Sequence, residues 1–235
     1  MHNRTDGAGA RPPGSVPDAG LLDTTEFKPR LRGWIHAAMV PLVLAAGIVL
    51  IVLAPGQVGK ATTAVYALTG VLLFTVSAVY HLGRWSPPVR RVLKRLDHTN
   101  IMLVIAGSYT PLSAFLLPEP KAALLLTGVW VGALLGVAFR VFWTDAPRWL
   151  YVPVYILLGL AALIFIGDFF AASPAAAVLV CVGGAAYIVG AVFYALKRPN
   201  LHPDWFGFHE LFHAFTVVGF ACHYVAIAIA VLGSR

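Results

Sequence analysis

Long apolar stretches alternate with short polar breaks along most of the chain. Seven of these stretches have roughly the 17 to 25 residues that a helix needs to cross the hydrocarbon core of a bilayer. They occupy residues 34–54, 61–80, 101–117, 122–143, 149–170, 175–196 and 209–232. The breaks between them carry proline, glycine and charged residues, which end helices. The pattern predicts an all-α integral membrane protein, with a seven-transmembrane helix bundle over residues 28–235.

The first 27 residues lack this pattern. They are rich in glycine, proline, alanine and aspartate and hold few large apolar side chains. Such a segment cannot bury enough apolar surface to offset the loss of chain entropy on folding. It also lacks the apolar core and small-residue cleavage site of a signal peptide. We therefore predict a disordered tail over residues 1–27.

Composition narrows the class of protein further. Hydrophobic residues make up 59% of the chain and charged residues only 11%, which does not suit a water-soluble surface. The formal charge of +7 would fit a nucleic-acid partner, but the basic residues flank apolar stretches and are not interleaved with aromatic ones. We therefore expect membrane lipids as partners and no nucleic acid. Both cysteines lie within apolar stretches, so no disulfide framework is expected.

The distribution of lysine and arginine predicts the orientation of the bundle. Placing the N-terminus inside puts fourteen of these residues on the cytoplasmic side and leaves three, Lys60, Lys121 and Arg235, outside. Cytoplasmic loops carry an excess of lysine and arginine. We predict a multi-pass protein of the inner or plasma membrane, with a cytoplasmic N-terminus and an external C-terminus.

A histidine pair at the start of the last predicted helix is the first candidate for chemistry. His209 and His213 are four residues apart, so their imidazoles lie on one helix face and can reach a single metal ion. Two hydrogen-bonded interfacial histidines are an equally good interpretation of the pair alone. His81 changes this balance, because it ends the second predicted helix at the same cytoplasmic level. Three imidazoles form a complete protein ligand set for a catalytic zinc ion, with a fourth position left for water.

Asp97 and Ser77 are expected to lie beside these histidines. Asp97 is predicted at the start of the third helix, on the same level, where it can orient or deprotonate a zinc-bound water. It also follows Lys94 and Arg95, so a solvated loop charge is the alternative. Ser77 lies one helical turn before His81, and its ordinary role would be a bond to a backbone carbonyl.

Other polar and aromatic residues are given structural interpretations. His36 is expected to be interfacial or solvated, and His223, ten residues beyond His213, to be a buried hydrogen-bonding residue and not a ligand. His98 can bond Asp97 or a lipid headgroup. Aromatic residues at the ends of the predicted spans are interpreted as interfacial anchors: Trp34, Trp143, Trp149 and Tyr151.

The pattern His-Glu-x-x-His at residues 209–213 also matches the zincin motif, in which the glutamate is the general base of a metalloprotease. An intramembrane protease with Glu210 as base is therefore an alternative. Such an enzyme would take an aspartate from a later span as its third ligand. The pair lies in the last predicted span, so any third ligand must come from upstream.

Several motifs in order along the chain resemble those of the hemolysin III family, the bacterial branch of the progestin and adipoQ receptor family, in a wider group that includes alkaline ceramidases. They are Lys28-Pro29-x-x-Arg32-Gly33-x-x-His36, Ser77-x-x-x-His81, Leu96-Asp97-His98, Ala106-Gly107-Ser108-Tyr109-Thr110-Pro111, Phe208-His209-Glu210-Leu211-Phe212-His213 and Cys222-His223-Tyr224. The resemblance covers essentially all of residues 28–235.

The resemblance implies a cytoplasm-facing zinc ion held by His81, His209 and His213. It implies that Asp97 holds the zinc-bound water, that Ser77 lies close by and that Glu210 is not a base. It also implies hydrolysis of an amide bond in a lipid, because related eukaryotic members have ceramidase-like activity.

Four functions follow from these observations. The first is a zinc-dependent, ceramidase-like lipid amide hydrolase that acts in membrane lipid homeostasis, with a lipid substrate or fatty acid as its ligand. The second is a non-enzymatic, receptor-like or membrane-homeostasis regulator with structural zinc. A pore-forming hemolysin ranks third, since the spans lack charged rings or polar stripes. The intramembrane zinc protease is fourth, and the oligomeric state stays open.

The orientation can be tested with reporters fused after Arg235. We expect a C-terminal alkaline phosphatase to be active and a C-terminal green fluorescent protein to be dark, because the first requires an external and the second a cytoplasmic location. A fluorescent C-terminal green fluorescent protein together with an inactive C-terminal alkaline phosphatase would contradict the predicted orientation.

Overall fold

Seven helical spans, each long and apolar enough to cross a membrane, occur in the computed structural model of the chain, which describes residues 29–202 and 204–233. The helices are α1 (Trp34–Leu53), α2 (Gly56–Leu82), α3 (Pro87–Leu116), α4 (Glu119–Phe142), α5 (Arg148–Gly159), α6 (Ile166–Ala172), α7 (Pro174–Leu196) and α8 (Phe208–Leu232). A 3₁₀ segment, Leu160–Phe165, joins α5 to α6, so the two form one span, Arg148–Ala172. The predicted seven-helix bundle is confirmed. The predicted tail, residues 1–27, lies outside the described residues.

The bundle is organised around α3, which is the most buried of the spans. Helix α2 packs between α1 and α3, α7 packs along α8, and α3 also contacts α4, α5 and α8. Phe74, Met102 and Ile227 are completely buried in the resulting core. Large apolar side chains such as Leu124 and Ile164 point outwards. Outward-facing apolar side chains are what a bilayer requires of the outer surface of a helical bundle.

The third helix begins at Pro87 and not near residue 101, where the apolar stretch begins. Proline suits the first turn of a helix, because its missing N–H would have no intrahelical partner there. The turns that follow are basic and polar, so hydropathy marks only the later, apolar part of the helix. The expectation that Asp97 starts a helix is therefore wrong. Asp97 lies well inside α3, and the continuous helix fixes the direction of its side chain.

The fifth span is interrupted in its middle, which the apolar pattern over residues 149–170 did not predict. In the 3₁₀ segment the α-helical bonding pattern is broken, and unpaired backbone groups are costly inside a bilayer. The Tyr109 hydroxyl of α3 donates to the Gly159 carbonyl at 2.6 Å and accepts from the Ala162 amide at 2.7 Å. One side chain thus satisfies a backbone donor and a backbone acceptor at the interruption.

Replacing Tyr109 by phenylalanine should destabilise the bundle by about 1–3 kcal/mol, because both backbone groups would lose a buried partner. Tyr80→Phe is the matched control, since the Tyr80 ring contacts His81 but its hydroxyl has no hydrogen bond in the part of the chain that the structure describes. The free energies of unfolding can be compared by reversible denaturation in mixed detergent micelles. Equal stabilities of the two variants would contradict this role of Tyr109.

Candidate metal centre

Three histidines from two helices converge at one end of the bundle. His81 lies in the last turn of α2, and His209 and His213 lie in the first two turns of α8. One ring nitrogen from each lies within 4.8 Å of the other two. His81 and His213 are buried and His209 is half-buried. The spacing of four residues between His209 and His213 places both rings on the face of α8 that meets His81.

The arrangement of these rings suits a metal ion. The ring centroids lie 4.7 Å apart for His209 and His213, 4.8 Å for His81 and His209, and 5.1 Å for His81 and His213. His213 Nδ1 is buried, and no hydrogen-bond partner for it occurs within residues 29–202 and 204–233. A buried imidazole nitrogen without a partner is costly, and coordination of that nitrogen to a cation would remove the cost. The residues present therefore fit a metal ion, and the three imidazoles can hold it.

Asp97 and Ser77 lie beside the histidine cluster, as the sequence predicted. The Asp97 Oδ2 atom is 4.0 Å from His81 Nε2, and its side chain is only 14% exposed. Ser77 is buried and lines the same small cavity as Asp97. The structure thus brings the five predicted site residues together, while their chemical roles remain predictions.

His98, next to Asp97 in sequence, has a different position. Its Nδ1 lies 2.8 Å from the Lys94 carbonyl oxygen, which can only accept, so the Nδ1 atom carries the proton. The same nitrogen is 3.6 Å from Asp97 Oδ2. His98 therefore lies beside the carboxylate but is not one of the three members of the cluster.

His36 is the histidine whose position the sequence did not predict. It was expected to be interfacial or solvated, but the structure buries it against His213. The two rings are stacked with centroids 3.9 Å apart and an angle of 7° between their planes. The stack fixes the plane of the His213 ring. The only available indication was the position of His36 in the motif that begins at Lys28.

Glu210 is engaged in structural contacts and is not free to act as a base. Its Oε1 accepts from Arg32 Nε at 2.7 Å, and its Oε2 accepts from the Gly207 amide at 2.8 Å. The carboxylate is completely buried and caps the positive end of α8, where a negative charge is favourable. These contacts do not fit the zincin role of a glutamate that activates water.

The segment before α1 passes directly over the cluster, and this requires glycine at position 33. Gly33 has φ of +90°, a conformation that side chains with a Cβ rarely adopt. A Cβ atom at this position would also lie 2.8 Å from the Cβ of His81. Gly33 therefore contacts α2 through His81, and Arg32 contacts α8 through its ion pair with Glu210.

An aromatic wall faces the histidines across a small cavity. Tyr151, Tyr155 and Tyr194 line this cavity of about 40 Å³ together with His209, His213, Ser77 and Asp97. Tyr151 was expected to be an interfacial anchor, but it is buried, whereas Trp34 and Trp149 are exposed as anchors would be. The prediction for Tyr151 was wrong because a position at the end of a span does not reveal which way the side chain faces.

A larger apolar cavity of about 260 Å³ lies beside the small one, between α3, α5, α7 and α8. The two cavities share six lining residues: Leu73, Ile101, Tyr155, Ala191, Phe212 and Thr216. The small cavity beside His209 and His213 therefore adjoins a larger apolar cavity.

The fold and the site together define a multi-pass membrane protein with a buried histidine cluster that can hold a metal ion. The chain belongs to the family described as Haemolysin-III related, whose profile matches residues 24–224. It is 30% identical over 167 residues to the hemolysin-3 homolog of Bacillus subtilis, which covers 69% of this chain and 74% of the relative. It is 28% identical to hemolysin-3 of Bacillus cereus over 72% of this chain and 74% of the relative.

A human protein is also similar. The chain is 24% identical to the monocyte to macrophage differentiation factor of Homo sapiens over 90% of this chain and 88% of that protein. The predicted resemblance to the hemolysin III and progestin and adipoQ receptor families is confirmed, as is the multi-pass membrane location.

The ion pair of Arg32 and Glu210 gives a stability prediction. We expect Arg32→Met to destabilise the protein by about 3–5 kcal/mol, because it leaves the buried Glu210 carboxylate without its cation. The double variant Arg32→Met/Glu210→Gln should recover part of this loss. Unfolding in mixed micelles measures both, and Lys121→Met, at an exposed ion pair with Asp168, is the matched control. A loss no larger than that of Lys121→Met would contradict the assignment.

Proposed function

We propose that this protein is a zinc-dependent hydrolase that cleaves an amide bond in a membrane lipid and so acts in membrane lipid homeostasis. The observation that carries the proposal is the position of the histidine cluster: His81 lies 4.0 Å from Asp97, and the small cavity beside His209 and His213 adjoins a larger apolar cavity. Water-activating groups and a space for hydrocarbon therefore adjoin each other.

Zinc is the metal that we assign to the cluster. Imidazole nitrogens are ligands that zinc prefers, and sites with three protein ligands leave a coordination position for water or substrate. His81, His209 and His213 would hold the ion. When bound, zinc would polarise the amide carbonyl and lower the pKa of water at the site toward 7.

Asp97 is proposed as the general base. Its carboxylate lies 4.0 Å from His81 Nε2 and lines the same small cavity as Ser77. It would take a proton from the attacking water and return it to the leaving nitrogen. A carbon–oxygen bond forms and the carbon–nitrogen bond breaks, so water and the amide yield a fatty acid and an amine. Ser77 acts as a positioning residue in this scheme.

The apolar cavity is proposed to hold the hydrocarbon chain of the substrate. Its volume of about 260 Å³ is lined almost entirely by apolar side chains. An apolar cavity of about 150 Å³ is already large enough to bind benzene. A chain in this cavity would bring the adjoining amide to the histidine cluster, with Tyr151 and Tyr194 beside the polar end.

A regulator with structural zinc is the second candidate, and one observation favours it. The cluster is packed tightly by His36 and by the segment that carries Arg32 and Gly33, so an ion there would also link α2, α8 and the start of α1. Pore formation, which the name of the Bacillus cereus relative suggests, is not proposed, because the larger cavity is apolar.

Metal content and lipid turnover together test the hydrolase. We expect the purified protein to carry about one zinc ion and to release fatty acid from a panel of N-acyl lipids. Asp97→Asn should keep the zinc and lose turnover by roughly 10²- to 10⁴-fold, the usual contribution of a general base. Elemental analysis and mass spectrometry of released fatty acid measure the two quantities.

Three controls separate the candidate functions. Asp145→Asn, at an exposed loop carboxylate, should leave both zinc and turnover unchanged. His209→Ala and His213→Ala should lose zinc and turnover. Full turnover in Asp97→Asn would exclude Asp97 as the base. Histidine variants that only unfold, with no hydrolysis of any lipid by the unaltered protein, would favour the regulator.

A further inference from the structure

The first turns of α3 extend beyond the part of the helix that crosses the membrane. The helix has 30 residues and is therefore roughly 45 Å long, whereas the hydrocarbon core of a bilayer is about 30 Å thick. All of its lysine and arginine residues lie within residues 87–96, so the excess length belongs to that end. Trp85, just before α3, is exposed, as a tryptophan at the membrane–water interface would be. Residues 87–96 therefore lie at the level of the lipid headgroups.

The basic residues of this segment form two like-charged pairs. Arg90 and Lys94 are four residues apart, and so are Arg91 and Arg95, so the members of each pair are neighbours on the helix surface. Like charges at this spacing destabilise a helix, and cations are also unfavourable near its positive N-terminal end. No acidic residue in the first turn offsets this cost. The local sequence therefore disfavours the helix unless a partner supplies negative charge.

Arg90 and Arg91 have no anionic partner in the part of the protein that the structure describes. Lys94 does have one, because its Nζ lies 2.9 Å from a carboxylate oxygen of Asp145. Arg90 and Arg91 are both exposed, and the side chain of neither makes an ion pair or a hydrogen bond within residues 29–202 and 204–233. Two neighbouring guanidinium groups are thus free to bind an anion from outside the protein.

An exposed apolar stripe runs along the same turns. It consists of Val89, Val92 and Leu96, which are all exposed. Their spacing of three and four residues puts them on one face of α3, on a different side of the helix from Arg90 and Arg91. A helix with one basic and one apolar side is the pattern that binds the interface of anionic membranes. The arginines attract negative headgroups, and the stripe can contact the apolar region beside them.

We propose that residues 87–96 bind anionic phospholipids of the surrounding membrane. Arg90 and Arg91 pair with negatively charged headgroups, and the stripe of Val89, Val92 and Leu96 lies against the glycerol and chain region of neighbouring lipids. A soluble phosphate would leave the stripe uncovered, and a lipid without net charge would leave the two arginines without a net counter-charge. Lipid binding at this surface does not depend on the proposed hydrolase activity.

Native mass spectrometry of the full-length protein measures this binding. The protein in detergent micelles is titrated with phosphatidylglycerol or with phosphatidylcholine that has the same acyl chains. We expect phosphatidylglycerol to bind about tenfold more tightly, because arginines near a membrane surface favour lipids of net negative charge. Equal affinities for the two lipids would overturn the proposal.

A pair of double variants separates this surface from the general positive charge of the protein. Arg90→Gln/Arg91→Gln should reduce the preference for phosphatidylglycerol to less than about threefold. Lys197→Gln/Arg198→Gln is the matched control, because it removes two exposed charges that follow α7 and should keep the full preference. All four residues are exposed, so both variants should fold. An equal loss in the two variants would overturn the proposal, because net charge alone would then explain the preference.

The stripe is tested by Val89→Ser/Val92→Ser. This variant should bind both lipids about threefold or more weakly and keep the preference for phosphatidylglycerol, because it removes apolar surface and no charge. Unchanged binding would overturn the role of the stripe. A dimer that this variant dissociates would assign the stripe to a second copy of the chain and overturn the proposal.

A soluble anion provides the last control. Glycerol phosphate carries the phosphate group without acyl chains, and it should not displace phosphatidylglycerol at an equal concentration. Displacement would overturn the proposal, because the surface would then bind an anion without a lipid. Lack of lipid amide turnover would count against the proposed hydrolase and leave these binding results unaffected.

Discussion

Polar groups buried between apolar helices must find their partners inside the protein, because hydrocarbon offers them none. The structure meets this constraint differently in each region. The Tyr109 hydroxyl serves two backbone groups at the interrupted fifth span, and Arg32 pairs with Glu210 at the start of α8. Arg140 is completely buried, with its guanidinium over the Tyr151 ring at 4.2 Å and bonded to the Thr144 carbonyl.

A buried polar atom without a hydrogen-bond partner in the described residues lies in the histidine cluster: His213 Nδ1. The small cavity beside the cluster and the larger apolar cavity share six lining residues. A lipid with its polar end at a metal ion and its hydrocarbon chain in the larger cavity would occupy both, as the proposed function requires.

The metal end of the bundle also depends on residues 30–36, which comprise the segment before α1 and the first turn of α1. Residues 30 and 31 donate backbone hydrogen bonds to the carbonyls of Asp204 and Trp205, just before α8. Arg32, Gly33 and His36 then contact Glu210, His81 and His213 in turn. This segment therefore holds the ligand-bearing ends of α2 and α8 together. A change in it would be felt at the metal site without touching a ligand.

The sequence by itself determined the number of spans and the members of the cluster. Apolar length is a local property, and the spacing of His209 and His213 on one helix face is local too. The charge count then put His81 and Asp97 at the same level as this pair. The resemblance over residues 28–235 pointed to the same five site residues, and the family is confirmed.

Only the tertiary structure decided which way side chains face and which elements meet. The stack of His36 on His213, the burial of Tyr151 and the pairing of Arg32 with Glu210 join residues far apart in sequence. The early start of α3 escaped the apolar pattern because its first turns are basic, and the 3₁₀ segment escaped it because a distant tyrosine stabilises it. Hydropathy records how apolar a segment is, whereas a contact depends on helix rotation and packing, which neighbouring helices set.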